Sequence, residues 1–123
     1  GGRRKDRSGP RTAAGTPVDT VRAYSRKGAA EAVRHLHAVG RRRIAFVNGP
    51  THTAPASSRR RGYLDGLRSC GLARDEKLIE VASDFMVEPG RSAAELLLAR
   101  VRPDAILCAN DLLAVGVLGA LRG

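Results

Sequence analysis

The residues of this 123-residue chain that are best placed to do chemistry are Asn110 and Asp111, which follow a short apolar run at residues 105–109. Such a run is typical of a parallel strand covered on both faces. From Leu113 onward apolar residues recur at helical spacing, so Asn110 or Asp111 can cap a helix. Ligands of open α/β sheets bind outside the carboxyl ends of the strands. Asp111 is therefore a candidate ligand-binding residue, with a plain helix cap as the alternative, and Asn110 is taken as a candidate beside it.

The elements that must position these residues alternate between strands and helices. Strands are predicted at residues 17–24, 42–48, 78–82 and 105–109. Helices are predicted from Ser25 as cap to about residue 39, from about 57 to 69, from about 89 to 101, and after 110. Strict alternation implies right-handed βαβ crossovers, so the predicted fold class is α/β, with a parallel sheet flanked by helices.

Four glycines carry specific expectations. Gly40 and Gly71 follow the first two helices, where glycine adopts the left-handed conformation at no steric cost. Gly62 and Gly66 lie four residues apart on the second helix, a spacing that permits close packing against a sheet.

The formal charge of +10 invites a nucleic-acid interpretation, but its distribution argues against it. Five basic residues and one aspartate fall in residues 1–16, which are rich in Gly, Pro, Ser and Thr and are expected to form a flexible basic arm. The remaining positive charge is spread over helix faces and two arginine triplets, without a helix-turn-helix pattern or zinc spacing. A solvated surface explains most of these arginines.

The cysteine count and the apolar runs indicate in which cellular compartment the protein is expected. Cys70 and Cys108 are the only cysteines, and their positions suggest neither a disulfide framework nor a metal site. No apolar run approaches the roughly 20 residues of a membrane span, and the N-terminus lacks the apolar core of a secretory signal. We expect a cytoplasmic protein with no membrane partner, no metal and no cofactor.

Catalysis is not predicted. The sequence contains no Gly-x-Ser-x-Gly elbow, no glycine-rich phosphate loop and no His or carboxylate cluster with metal spacing. The expectation is a non-enzyme.

Five motifs occur in a recognisable order. They are residues 28–36 (GAAEAVRHL), 39–50 (VGRRRIAFVNGP), 59–63 (RRRGY) with Leu67, Phe85 with Gly90, and 103–111 (PDAILCAND). Over about residues 17–123 the sequence resembles the effector-binding region of the lac-repressor (LacI/GalR) family of transcription regulators. Each motif alone is weak, but their shared order and spacing are specific.

The resemblance implies a periplasmic-binding-protein-like (type I) effector domain, with two α/β subdomains that hold a sugar or nucleoside-like effector between them. It implies a homodimeric parent that binds operator DNA through a helix-turn-helix domain absent from this chain. Residues 17–40 would then be the end of the N-terminal effector subdomain, and residues 41–123 a truncated C-terminal effector subdomain. The domain is expected to be incomplete.

The resemblance also implies site residues. Arg59 matches the family's effector-contacting arginine, and its fork of donors suits two hydroxyls or a carboxylate. Asp111 matches the effector-binding aspartate at the strand end, and Phe85 matches an aromatic residue that stacks on the effector.

Four further positions concern the same site. Thr53 occupies a loop position that contacts effector in some relatives, and His52 in that loop can hydrogen-bond a ligand. Many members have an Asp-Asn pair where this chain has Tyr24 and Ser25, which puts the usual polar contact there in doubt.

Two other functions stay open at this point. A periplasmic-type sugar-binding protein of a transport system shares the implied fold but needs export. An inactive truncated fragment is the second alternative, because both ends of the effector domain are expected to be missing. The motif series favours the sensing domain of a transcriptional regulator.

Overall fold

A computed structural model describes residues 18–123. The predicted basic arm, residues 1–16, lies outside the described residues. Within them, strands and helices alternate as predicted. The strands are β1 (Asp19–Arg22), β2 (Ile44–Asn48), β3 (Ile79–Val81) and β4 (Ala105–Cys108), and the helices are α1 (Arg26–Ala38), α2 (Ala54–Ser69), α3 (Val87–Arg100) and α4 (Asp111–Arg122). A short 3-10 turn, Glu76–Leu78, precedes β3.

The four strands form one parallel sheet in the order β1-β4-β2-β3. The two central strands, β2 and β4, are buried along their whole length, as expected for a sheet covered on both faces. Because all strands run in the same direction, their carboxyl ends meet at one edge of the sheet. The predicted α/β fold with a parallel sheet is confirmed.

The subdomain boundary implied near residue 40 falls between α1 and β2, yet both sides of it belong to this sheet. The pairing with β1 satisfies the backbone polar groups of β4 on the side away from β2. Asp19 N donates to Asp104 O at 3.2 Å, and Ala23 N donates to Cys108 O at 3.1 Å. The described residues before and after position 40 therefore share one core in this structure.

The helices form two packed pairs, α1 with α2 and α3 with α4. The predicted close packing of Gly62 and Gly66 is present, but the neighbour is helix α1 and not the sheet. A Cβ atom at Gly62 would lie 2.1 Å from the carbonyl oxygen of Arg26, and one at Gly66 would lie 2.6 Å from the Cβ of Val33. These glycines let α2 approach the backbone of α1.

The ends of the helices follow from local chemistry. Ser25 caps α1 as predicted, since its Oγ accepts from Gly28 N at 2.9 Å. Gly40 and Gly71 have φ of 101° and 69°, which confirms the left-handed conformation predicted for both. Asn110, and not Asp111, caps α4, because its Oδ1 accepts from Leu113 N at 2.9 Å.

Helix α2 begins earlier than predicted. The sequence indicated a loop up to residue 57, but the helix starts at Ala54 with Thr53 as its cap. The Thr53 Oγ1 atom accepts from Ala56 N at 3.3 Å, and Pro55 lies in the first turn, where its missing N–H needs no partner.

The two cysteines differ in burial. Cys108 lies in β4 with no exposed surface, and burial raises the pKa of its thiol to about 12. Cys70 is half-buried at the end of α2. We expect Cys70 to react with an aromatic disulfide reagent in the native protein, whereas Cys108 reacts only when the molecule unfolds.

Counting released thiolate by absorbance checks this expectation. One thiol should react quickly in buffer and the second only in urea, and a Cys70→Ser variant should lose the fast phase. A fast phase that persists in Cys70→Ser would show that β4 is not covered as the structure has it.

Candidate ligand-binding site

Several side chains collect at the carboxyl edge of the sheet, among them the predicted site residues Asn110, Asp111 and Phe85. Asn110 and Asp111 follow β4, Tyr24 follows β1, Gly49 follows β2, and Phe85 comes four residues after β3. The neighbouring strands β4 and β2 continue into α4 and α2, which belong to different helix pairs. Where successive connections leave on opposite faces of a sheet, a crevice opens outside the strand ends.

Asp111 stands at this edge as predicted, but its carboxylate already has partners within the chain. The hydroxyl of Tyr24 donates to Asp111 Oδ1 at 2.7 Å. Arg22 forms an ion pair with the same oxygen, and its Nε donates to the Tyr24 hydroxyl at 2.9 Å. The hydrogen bond that Arg22 donates to Tyr24 and the charge of Asp111 raise the pKa of Arg22 above its usual value.

Arg59 extends from α2 toward the end of β1. Its Nε donates to Ala23 O at 3.0 Å, and its Nη2 donates to Tyr24 O at 2.9 Å. Within residues 18–123, its Nη1 atom makes no hydrogen bond. The guanidinium therefore fixes the backbone after β1 and still presents donors at the edge.

Phe85 is half-buried, and its ring lies directly over Gly49 at the end of β2. A Cβ atom at Gly49 would fall 2.3 Å from the ring, so any other residue there would have to displace Phe85. Asn110 Nδ2 donates to Phe85 O at 3.3 Å, while Asn110 Oδ1 caps α4. Both polar ends of the Asn110 amide are thus engaged in holding the site together.

The loop after β2 offers fewer polar groups to a ligand than the sequence suggested. The Thr53 hydroxyl donates to Pro50 O at 2.8 Å and caps α2, so its polar capacity is used locally. His52 is exposed beside it.

The structure joins Asp111 and Arg59 through one residue, Tyr24, whose hydroxyl contacts the first and whose carbonyl contacts the second. Phe85 and Asn110 form a second linked pair. Sequence reasoning did not identify Arg22, and it named Tyr24 only as a departure from the Asp-Asn pair of many family members. Arg22 ends β1 and Tyr24 follows two residues later, and only the pairing of β1 with β4 shows what they face.

Two absences concern the part of the chain that the structure describes. No group of three His, Cys, Asp or Glu side chains in it could hold a metal ion. None of its helices is long and apolar enough to cross a membrane.

Open α/β sheets bind ligands at the carboxyl edge, where this sheet has its charged and aromatic side chains. Residues 10–123 match the model of the family described as periplasmic binding proteins and sugar binding domain of LacI family. The chain belongs to this family. The assignment made from the order of motifs is thereby confirmed.

Known relatives agree with this assignment. The HTH-type transcriptional regulator DegA of Bacillus subtilis is 34% identical over 86% of this chain and 31% of its own length. The ribose operon repressor of Escherichia coli is 36% identical, over 84% of this chain and 31% of that protein.

A solved structure agrees as well, that of the transcriptional regulator CelR in complex with cellobiose. It has a TM-score of 0.76 and 32% identity, and the match covers 87% of this chain and 33% of that one. The chain therefore spans about a third of the length of the proteins that it matches.

Proposed function

We propose that this chain is the effector-sensing part of a LacI-type transcriptional regulator and that its carboxyl edge binds a small polyhydroxylated molecule. The observation that carries the proposal is the linkage of Asp111, Tyr24 and Arg59 at the strand ends of the sheet. Two similar proteins, the ribose operon repressor and CelR in its complex with cellobiose, support a sugar-like ligand.

The available groups suit such a ligand. Hydroxyls of a sugar can accept from the Nη1 donors of Arg59 and donate to a carboxylate oxygen of Asp111. The half-buried ring of Phe85 offers an apolar face to the C–H side of a sugar ring. Together these groups distinguish one face of a ligand from the other.

The proposed action is a two-state switch in the whole regulator. An effector that binds a closed cleft better than an open one biases the equilibrium between the two states. We further propose that the whole regulator is cytoplasmic and homodimeric and that it binds operator DNA through a helix-turn-helix domain. These relatives are regulators and not enzymes, which supports a non-catalytic role and favours sensing over transport.

Arg59 gives the sharpest test of the site. The isotope-labelled chain is titrated with free sugars, sugar phosphates and nucleosides and followed by amide NMR. Binding should shift the signals of residues at the carboxyl edge. In an Arg59→Ala variant the affinity for the best-binding compound should fall roughly 30-fold, because a charge-assisted contact is lost.

Two controls separate binding from folding. Arg61→Ala removes the same charge two residues further along α2 at an exposed position, and it should bind like the wild type. Circular dichroism must show a native fold in Arg59→Ala, since Arg59 also anchors Ala23 and Tyr24. Wild-type affinity in a folded Arg59→Ala variant would contradict the proposed site, and a panel without any binder would support an inactive fragment.

A further inference from the structure

We propose that the outer edge of β3, the side away from β2, is a strand-pairing surface for a second copy of this chain and that Arg100 keeps this surface closed. β3 lies at one end of the sheet order, and among residues 18–123 only β2 pairs with it. An unpaired edge presents backbone donors and acceptors that can pair with another chain. The inference does not depend on the proposed ligand site, because strand pairing at this edge needs no bound ligand.

The orientation of the backbone shows which groups of β3 face outward. Ala82 N donates to Asn48 O at 2.8 Å, so the polar groups of Ala82 point toward β2. Successive residues of a strand direct their N–H and C=O groups to alternate sides. Ile79 and Val81 therefore direct theirs away from β2, to the outer edge.

Arg100, the last residue of α3, lies along this edge. Its Nη2 donates to Ile79 O and its Nε donates to Lys77 O, both at 3.0 Å. Its Nη1 donates to the carboxylate of Glu80 at 2.6 Å, and this ion pair holds the guanidinium in place. The planar fork of donors thus satisfies the outward carbonyls of the amino-terminal half of the edge.

An identical strand is the partner that fits this edge. In a two-fold pair the two β3 strands run antiparallel, and Val81 exchanges two hydrogen bonds with its own copy. Ile79 then lies opposite Ser83 of the second copy, whose N–H needs the Ile79 carbonyl as its acceptor. Because Arg100 occupies that carbonyl and the space beside it, pairing cannot extend past Val81.

Apolar side chains beside the open half of the edge favour the same partner. Val81 is 41% exposed and Leu96 is 60% exposed, and both line a groove with Pro89 and Ala93. In the two-fold pair the Val81 side chains of the two copies become neighbours, so each copy covers apolar surface of the other. The contact is small, and its strength therefore depends on how many backbone groups Arg100 leaves free.

Substitution of Arg100 tests the inference through the oligomeric state. Arg100→Ala frees both carbonyls, so sedimentation equilibrium should show self-association at least about tenfold tighter than that of the wild type. Arg74→Ala is the matched control, because it removes the same charge and an ion pair with Glu76 but no contact to a carbonyl of β3. This control should associate like the wild type, and circular dichroism checks that both variants are folded.

Val81→Pro identifies the surface that associates. Proline removes the outward N–H of residue 81, and the ladder with β2 loses no hydrogen bond, as edge strands tolerate. Combined with Arg100→Ala, it should return the association to the level of the wild type. Association that persists would come from another surface and would overturn the inference, as would a folded Arg100→Ala variant that associates like the wild type.

If Arg100→Ala does not fold, Arg100→Lys decides the question in the same assay. Lysine keeps the positive charge beside Glu80, but its single ammonium lacks the fork that spans the carbonyls of Lys77 and Ile79. Arg100→Lys should therefore associate more tightly than the wild type, and Val81→Pro should reverse this gain. Unchanged association in Arg100→Lys would show that the guanidinium fork does not close the edge.

Discussion

Tyr63→Ala should lower the free energy of unfolding by about 3–5 kcal/mol, the range for truncating a large buried aromatic side chain. Tyr63 has no exposed surface. Its ring stacks on that of Phe46 with centroids 5.0 Å apart, and its hydroxyl donates to Ile44 O at 2.7 Å. The variant loses the aromatic stack and leaves a cavity between α2 and β2.

Urea unfolding followed by far-UV circular dichroism measures this loss. Tyr63→Phe keeps the ring and removes one hydrogen bond, so it should cost about 1 kcal/mol. Tyr24→Ala removes the same side chain from a position that is 59% exposed and should change stability by less than about 1 kcal/mol. Equal effects of the two alanine substitutions would contradict the packing of Tyr63 in the core.

Local signals in the sequence were sufficient for most of the element order. Apolar runs at residues 44–47 and 105–109 identified the two buried central strands, and Gly40 and Gly71 marked two helix ends. The start of α2 was missed because residues 54–57 are small and weakly patterned. Their helix depends on the Thr53 cap and on the buried Asn48, whose Nδ2 donates to Ala56 O at 3.1 Å.

Strand order could not be predicted from these local signals. The sequence places β1 next to β2 along the chain, whereas the sheet inserts β4 between them. The contacts that decide this order join residues far apart in sequence, such as Asp19 with Asp104. Hydrophobic periodicity assigns a strand to a sheet but does not specify its neighbour.

The same limit applies to the site. Asp111 was placed at the carboxyl edge from the end of its own strand, whereas Phe85 and Arg59 came from the family resemblance that the motifs carry. Arg22 and Tyr24 were not placed there, because the hydrogen bond between Tyr24 and Asp111 spans 87 positions of sequence. A tyrosine after an edge strand looks like any exposed aromatic residue until its neighbouring strand is known.

Two glycines of α4 test the contact between α3 and α4, and substitution of one of them should have a large effect on stability. A Cβ atom at Gly116 would lie 2.1 Å from Val87 O and 2.5 Å from Arg91 N, both backbone atoms of α3. Backbone cannot yield as a flexible side chain does, so the two helices must separate. Gly116→Ala should therefore lower the free energy of unfolding by about 3 kcal/mol.

Gly119 supplies the matched control, since it lies three residues further along α4 and a Cβ atom there would meet nothing within 4 Å. Alanine is favoured over glycine inside a helix by about 1 kcal/mol, so Gly119→Ala should raise stability by up to that amount. The two substitutions are chemically identical and share a helix, so helix propensity favours both equally. Urea midpoints that move in opposite directions would isolate the α3–α4 contact, whereas midpoints that both rise would show that the helices are not packed this closely.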